Sequence, residues 1–154
     1  MAEMLVWRDA WLLGIKPIDA EHKEMVRLLN RLAYSSKTPD GRTFTLGVSR
    51  KDNGRLPGSL PERIDELIAH LRHHYKKEEA FLKEISYPEY QAHKRDHAME
   101  MAEFIHMRRE IKESGVESLD QATLKHLKAW FFNHVVSEDK RFAEYYFKQY
   151  KAVV

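Results

Sequence analysis

Five histidines of this chain fall in register with its large apolar residues, and no other feature restricts its fold as tightly. On an α-helix, positions three and four apart share a face. A first helical segment, starting near Asp19 as its N-cap, puts His22 in line with Met25, Leu28, Leu29 and Leu32. A second opens with Ser59-Leu60-Pro61-Glu62, a capping-box pattern with an early proline. Its stripe runs Ile64, Leu67, Ile68, Leu71, His74, Glu78, Phe81 and Ile85, and Tyr87-Pro88 stops it near Ser86. A third, from about Glu89 to just before Gly115, carries Tyr90, His93, His97, Met101 and Phe104 or Ile105. A fourth opens with Ser118-Leu119-Asp120-Gln121, again a capping-box pattern, and carries Leu124, Leu127, Phe131 and His134. A further helical stretch with Phe142, Tyr145 and Tyr146 finishes the chain. Single HxxxE and HxxxH pairs are common on solvated helix faces. Five imidazoles on apolar stripes are different, because each buried polar group without a partner costs a few kcal/mol. Ligands converging from facing helices onto a shared metal cluster remove that cost together.

Composition narrows the class. A length of 154 residues suits one domain, spanning 1–154. A net charge of +2 gives no clear basic stripe, so no nucleic-acid partner is expected. The absence of cysteine excludes disulfides, thiolate–zinc sites, iron–sulfur clusters and thiol catalysis. The opening MAEMLVWRDAW has no secretory pattern and no run of about 18 apolar residues occurs. A cytoplasmic protein without a membrane partner is the expectation. Residues 35–60 break the helical regime, with turn signals at Thr38-Pro39-Asp40-Gly41 and Asp52-Asn53-Gly54 around a β-prone run, Phe44 to Val48. The expected fold is all-α, an up-down four-helix bundle with short loops except for this long insert between helices one and two, which has room for a small hairpin.

Four stretches carry a family resemblance. WRDAWLLGIKPIDAEHKEMVRLLN (Trp7 to Asn30), HHYKKEEAFL (His73 to Leu82), YPEYQAHKRDH (Tyr87 to His97) and LKAWFFNHVVSED (Leu127 to Asp139) resemble the signatures of bacterial hemerythrins, in the same order. They cover nearly the whole chain apart from the insert, in the combination H … HxxxE … HxxxH … HxxxxD. The resemblance implies two non-haem iron ions. His93, His97 and His134 would bind one, His22 and His74 the other. Glu78 and Asp139 would bridge them, together with an oxo or hydroxo oxygen derived from solvent. The nitrogen and oxygen donor set alone suits iron, zinc or nickel, and the resemblance chooses iron. Ligand counting then gives six donors on one iron and five on the other, so dioxygen is the expected ligand at the open position. Reversible dioxygen binding for carriage, storage, delivery or sensing follows, with no substrate turned over and any protein recipient of the oxygen unknown. The competing readings are a di-iron oxidase, a peroxide or nitric oxide scavenger, and an iron-detoxifying protein.

Helix four sets spacing against resemblance. His134 and Asp139 are five residues apart, about 500° on a regular α-helix and so about 140° off a shared face. Glu138, at i+4, lies closer to the face of His134. Both statements hold if one extra residue is wound into the turn, as in a π-bulge. The expectation is a break in the i→i+4 ladder between Trp130 and Lys140, with Asp139 at the cluster and Glu138 turned to solvent. Among the other polar residues, Glu79 is an alternative bridge less well spaced than Glu78. His70 is placed to hydrogen-bond to a ligand or line the oxygen pocket, His73 is expected in solvent, and His106 and His126 are given no role. Trp7, Trp11, Trp130, Phe131 and Tyr90 are read as core, and the basic residues Arg42, Arg50, Lys51 and Arg55 as a solvated loop.

Overall fold

The computed structural model describes residues 4–33 and 58–151, all of whose regular structure is helical. Helix α1 spans Lys16–Leu32, α2 Leu60–Glu84, α3 Tyr90–Ser114, and α4 Gln121–Phe131. A π-helical segment, Phe132–Glu138, runs without interruption from α4 into α5, Asp139–Tyr146, and a further π turn, Phe147–Lys151, ends the description. Together α4, the π segment and α5 make the fourth rod of an up-down bundle, in which α2 packs between α1 and α3. Most of the insert, with the β-prone run and its basic residues, lies outside the described residues. None of the described helices is long and apolar enough to cross a membrane.

Local chemistry explains the boundaries. Ser59 caps α2, its hydroxyl accepting from Glu62 N at 3.3 Å, with Pro61 in the first turn. Gly115 ends α3 in the left-handed conformation, φ 71°, which costs a residue without Cβ nothing. Ser86 does the same after α2 at φ 56°, where Tyr87 N donates to Leu82 O and Ser86 N to Lys83 O, the paired bonds of a Schellman ending. Two expected caps are corrected. Helix α1 starts at Lys16, with Pro17 in its first turn, and Asp19 lies inside it. The Asp19 carboxylate instead accepts from Leu13 N at 2.7 Å and Gly14 N at 3.0 Å, tying the incoming loop to the helix. Helix α4 is capped by Asp120, which accepts from Thr123 N at 2.8 Å, and Ser118 lies outside it.

The apolar core is in two parts. One gathers Leu5, Trp11, Met25, Leu29, Leu67, Leu71, Phe104 and Phe131. The other gathers Leu13, Ile18, Leu82, Ile85, Tyr87 and Phe142. Along each rod the two alternate around a polar residue: Ile18, His22, Met25 on α1, and Phe131, His134, Phe142 on the fourth. The buried polar layer lies between them.

Candidate metal centre

All seven residues singled out in the sequence meet in that layer, and all are buried. His22 comes from α1, His74 and Glu78 from α2, His93 and His97 from α3, His134 from the π segment and Asp139 from the first turn of α5. The i, i+4 pairs reach the same point because their helices are regular there. The i, i+5 pair does so because Asp139 N donates to His134 O, the longer bond of a π turn. Glu138 is half-buried rather than turned to solvent, and it is not among the carboxylates that meet the imidazoles. The extra residue in the turn moves Asp139 onto the face that Glu138 would otherwise hold.

The two carboxylates divide the imidazoles. Glu78 Oε2 lies 3.0 Å from His74 Nε2 and 3.8 Å from His22 Nε2. Its Oε1 lies 2.7 Å from His93 Nε2 and 3.1 Å from His97 Nε2. Asp139 repeats the division: Oδ2 is 3.1 Å from His22 Nε2, while Oδ1 is 3.2 Å from His93 Nε2 and 3.4 Å from His134 Nε2. One side therefore holds two imidazoles and the other three, and each carboxylate offers one oxygen to each side.

These contacts are close without being hydrogen bonds in most cases. The Nε2 atoms of His22, His74, His97 and His134, Glu78 Oε2 and both Asp139 oxygens are buried with no hydrogen-bond partner among the described residues. Each such orphan costs about 1–3 kcal/mol in a dry interior. Lone pairs aimed at a common centre are what a cation needs, so the residues fit a metal group on each side.

Three of the outer imidazole nitrogens support the same arrangement, while His22 Nδ1 is buried with no partner among the described residues. His74 Nδ1 is 2.8 Å from Glu21 Oε1, His97 Nδ1 2.7 Å from Glu79 Oε2, and His134 Nδ1 2.9 Å from Glu100 Oε2. A carboxylate can only accept there, so each Nδ1 donates and Nε2 is the nitrogen that faces the centre, free to exchange its proton for a metal. Charge follows geometry. Burial draws the His74 pKa down, but the Glu78 charge and the contact with Glu21 outweigh it and lift it to about 10. His93 is likewise lifted to about 10 against burial by Asp139 and Glu78, and His134 to about 9 by Asp139 and Glu100. His22 is raised against burial by the same two inner carboxylates. Burial pushes Glu78 up, yet His74 and the other imidazoles hold it well below its ordinary value. Asp139 is lowered as well, the imidazoles outweighing burial and the Glu78 charge.

Three participants were not singled out in the sequence: Glu21, Glu100 and Tyr75. Glu21 lies next to His22 but serves His74 across the helix pair, and Glu100 lies three residues past His97 but serves His134. No spacing rule links such pairs, since each joins different helices. Glu79 sits on the outer nitrogen of His97 and bridges nothing. His70 stacks on His74, with ring centroids 6.2 Å apart, and its Nε2 meets Glu21 O at 2.9 Å. His73 is exposed, and exposed His106 pairs with Glu110. A cleft of about 390 Å³ between α2 and α3 reaches His97 and Tyr75, whereas a larger cavity of about 760 Å³, between α3 and α4, touches none of the seven.

The comparisons agree with this geometry. Residues 13–146 match the family model of the hemerythrin HHE cation binding domain. The chain is 27% identical over 141 residues to a bacteriohemerythrin of Stenotrophomonas maltophilia, covering 92% of this chain and 80% of that one. It is 24% identical to a bacteriohemerythrin of Pseudomonas aeruginosa, covering 91% and 80%. Crystal structures of a wild-type hemerythrin and of a leucine-to-alanine mutant superpose with TM-scores of 0.69 and 0.71, each 20% identical. These cover 91% and 92% of this chain and 95% and 96% of theirs, and they show the shared fold. With its bundle, its buried imidazole–carboxylate layer and its matched segment, this chain belongs to the hemerythrin family of cation-binding domains.

Proposed function

We propose that the chain holds two non-haem iron ions in this layer and binds dioxygen reversibly, for carriage, storage, delivery or sensing in the cytoplasm. His93, His97 and His134 would hold one ion and His22 and His74 the other, with Glu78 and Asp139 spanning both. When bound, a ferrous pair supplies the two electrons on which reversible dioxygen binding draws. The observation that carries the reading is the division of each carboxylate's oxygens between a three-imidazole and a two-imidazole side. One donor fewer on the His22 and His74 side leaves the room there for a small ligand. The two carboxylate charges offset part of the cationic charge, which an apolar interior would not otherwise tolerate. Glu21, Glu79 and Glu100 keep their imidazoles in the tautomer that presents Nε2. The apolar clusters on either side exclude water, which supports holding oxygen over turning it over.

Metal analysis and visible spectroscopy of the reduced protein test this. About two irons per chain are expected, with a charge-transfer band that rises on exposure to air and fades under vacuum. His74→Ala should lose that band by removing half of the imidazole donors on the two-imidazole side. Retention of the band in this variant would refute the assignment. Steady consumption of oxygen with an added reductant would replace the carrier reading by an oxidase or scavenger.

A further inference from the structure

Glu100, on α3, is not one of the seven residues, yet it touches more of their surroundings than Glu21 or Glu79 does. Its Oε1 accepts from the Tyr75 phenol at 2.6 Å and from the Trp130 indole N–H at 2.9 Å, while its Oε2 accepts from His134 Nδ1 at 2.9 Å. Three donors, from α2, α4 and the π segment, thus close on one carboxylate. Both aromatic donors also lie against imidazoles. The Tyr75 ring stacks on His97 with centroids 3.8 Å apart and planes 7° from parallel. The Trp130 ring stacks on His134 at 5.8 Å and 19°. His97 and His134 belong to the same three-imidazole side. By contrast Glu79 meets one imidazole, and Glu21 serves the other side while also lying near exposed His73 and Lys77.

A carboxylate on Nδ1 keeps the proton there and makes Nε2 a stronger donor, and an aromatic ring lying flat on an imidazole limits its rotation. We propose that Glu100 is the positioning residue of the three-imidazole side, fixing the tautomer and donor strength of His134 directly and the ring orientation of His97 through Tyr75. The proposal rests on the reading of these imidazoles as metal ligands. It assigns to Glu100 an effect centred on one side of the pair, because no direct contact joins it to His22 or His74, and Tyr75 meets the His74 ring only at 5.9 Å and 46° from parallel.

Zinc(II) is a diamagnetic probe that suits the same nitrogen and oxygen donors. Metal-free wild type, Glu100→Gln, Tyr75→Phe and Glu103→Gln are each titrated with zinc and followed by NMR of nitrogen-15-labelled histidine. Glu100→Gln keeps the length of the side chain and an acceptor oxygen but removes the charge. It should weaken one of the two zinc sites by about tenfold or more and shift the His134 Nδ1 signal, leaving the His22 signals unmoved and those of His74 shifted far less than those of His134. Tyr75→Phe keeps the ring but removes the phenol that Glu100 holds, so it should move the His97 signals most, with smaller shifts at His134, whose ring Tyr75 also meets at 5.7 Å. Unmoved His97 signals in this variant overturn the role given to Tyr75 even if Glu100→Gln fails to fold. Glu103→Gln, exposed on the same helix, should change nothing. Equal zinc affinity and an unmoved His134 signal in Glu100→Gln overturn the proposal while leaving the metal reading intact. A wild type that binds neither zinc nor iron overturns both.

Discussion

At the scale of single residues, the imidazoles of the layer compete between protons and metal. Without metal, His74 and His93 with pKa values of about 10 and His134 at about 9 are protonated at neutral pH. A metal takes the neutral imidazole, so loading must displace those protons, and affinity must fall as pH falls. Titrating metal-free protein with ferrous iron or zinc at pH 7 in weak buffer should release more than one proton per chain. Release of less than one would show that the imidazoles were already neutral. The same shifts set the stability of the metal-free form. Each raised imidazole contributes stability that is complete below the ordinary histidine value of 6.5 and is lost as pH rises towards 9 or 10. The lowered Glu78 and Asp139 contribute stability that is complete above the ordinary carboxylate values, 4.5 and 3.8, and is lost at lower pH as they take up protons. Metal-free protein should therefore have its highest melting temperature between about pH 4.5 and 6.5 and lose stability in alkali. Loaded protein, whose imidazoles are neutral throughout, should lack that alkaline loss.

At the scale of the element, the fourth rod decides which carboxylate the centre receives. A regular α-helix would bring Glu138 round to the face of His134, and the π segment Phe132–Glu138 brings Asp139 instead. Asp139→Ala should then disrupt metal binding, with loss of one or both ions by metal analysis, while Glu138→Ala should leave two ions in place. The reverse pair of results would mean that the rod is regular in solution. The conflict was visible in the sequence as an i, i+5 spacing, so the unusual winding could be anticipated from Trp130 to Lys140. The inner donors were legible for the same reason: a helical stripe has a fixed period, and a histidine on it must be buried. What periodicity could not supply is the pairing between helices. Glu100 reads in the sequence as one polar residue among many on α3, and only the packing of α2 and α4 against that helix gives it three donors. The cap of α1 was misplaced because Asp19 has the right chemistry for an N-cap. Its carboxylate does accept backbone N–H groups, but from Leu13 and Gly14 of the preceding loop rather than from its own helix.

At the scale of the whole molecule, the described residues form two apolar clusters separated by a layer that is costly to keep empty. The clusters bury residues from all four rods, so the helices should persist without metal. The layer between them is another matter: seven inward-facing buried donor atoms, from four of its imidazoles and both of its carboxylates, lack partners among the described residues. A bound cation satisfies these atoms together and binds the folded chain in preference to the unfolded one. At a free metal concentration a thousandfold above the dissociation constant, that linkage is worth about 4 kcal/mol. For a domain of this size 1 kcal/mol moves the melting temperature by roughly 2–4 °C, so chelation should lower it by roughly 8–16 °C. Calorimetry of loaded, chelated and reloaded protein measures the difference, and far-UV circular dichroism checks that helix content is retained at low temperature. Recovery on reloading separates this effect from damage by the chelator. Coincident melting curves would mean that the layer holds no metal, and its orphaned donors would then have to be satisfied by ordered water. A large fall in helix content on chelation would refute the separate claim that the two apolar clusters suffice to hold the bundle. The expected result, a cooler transition with the helices intact, follows only if packing makes the bundle and the metal closes its interior.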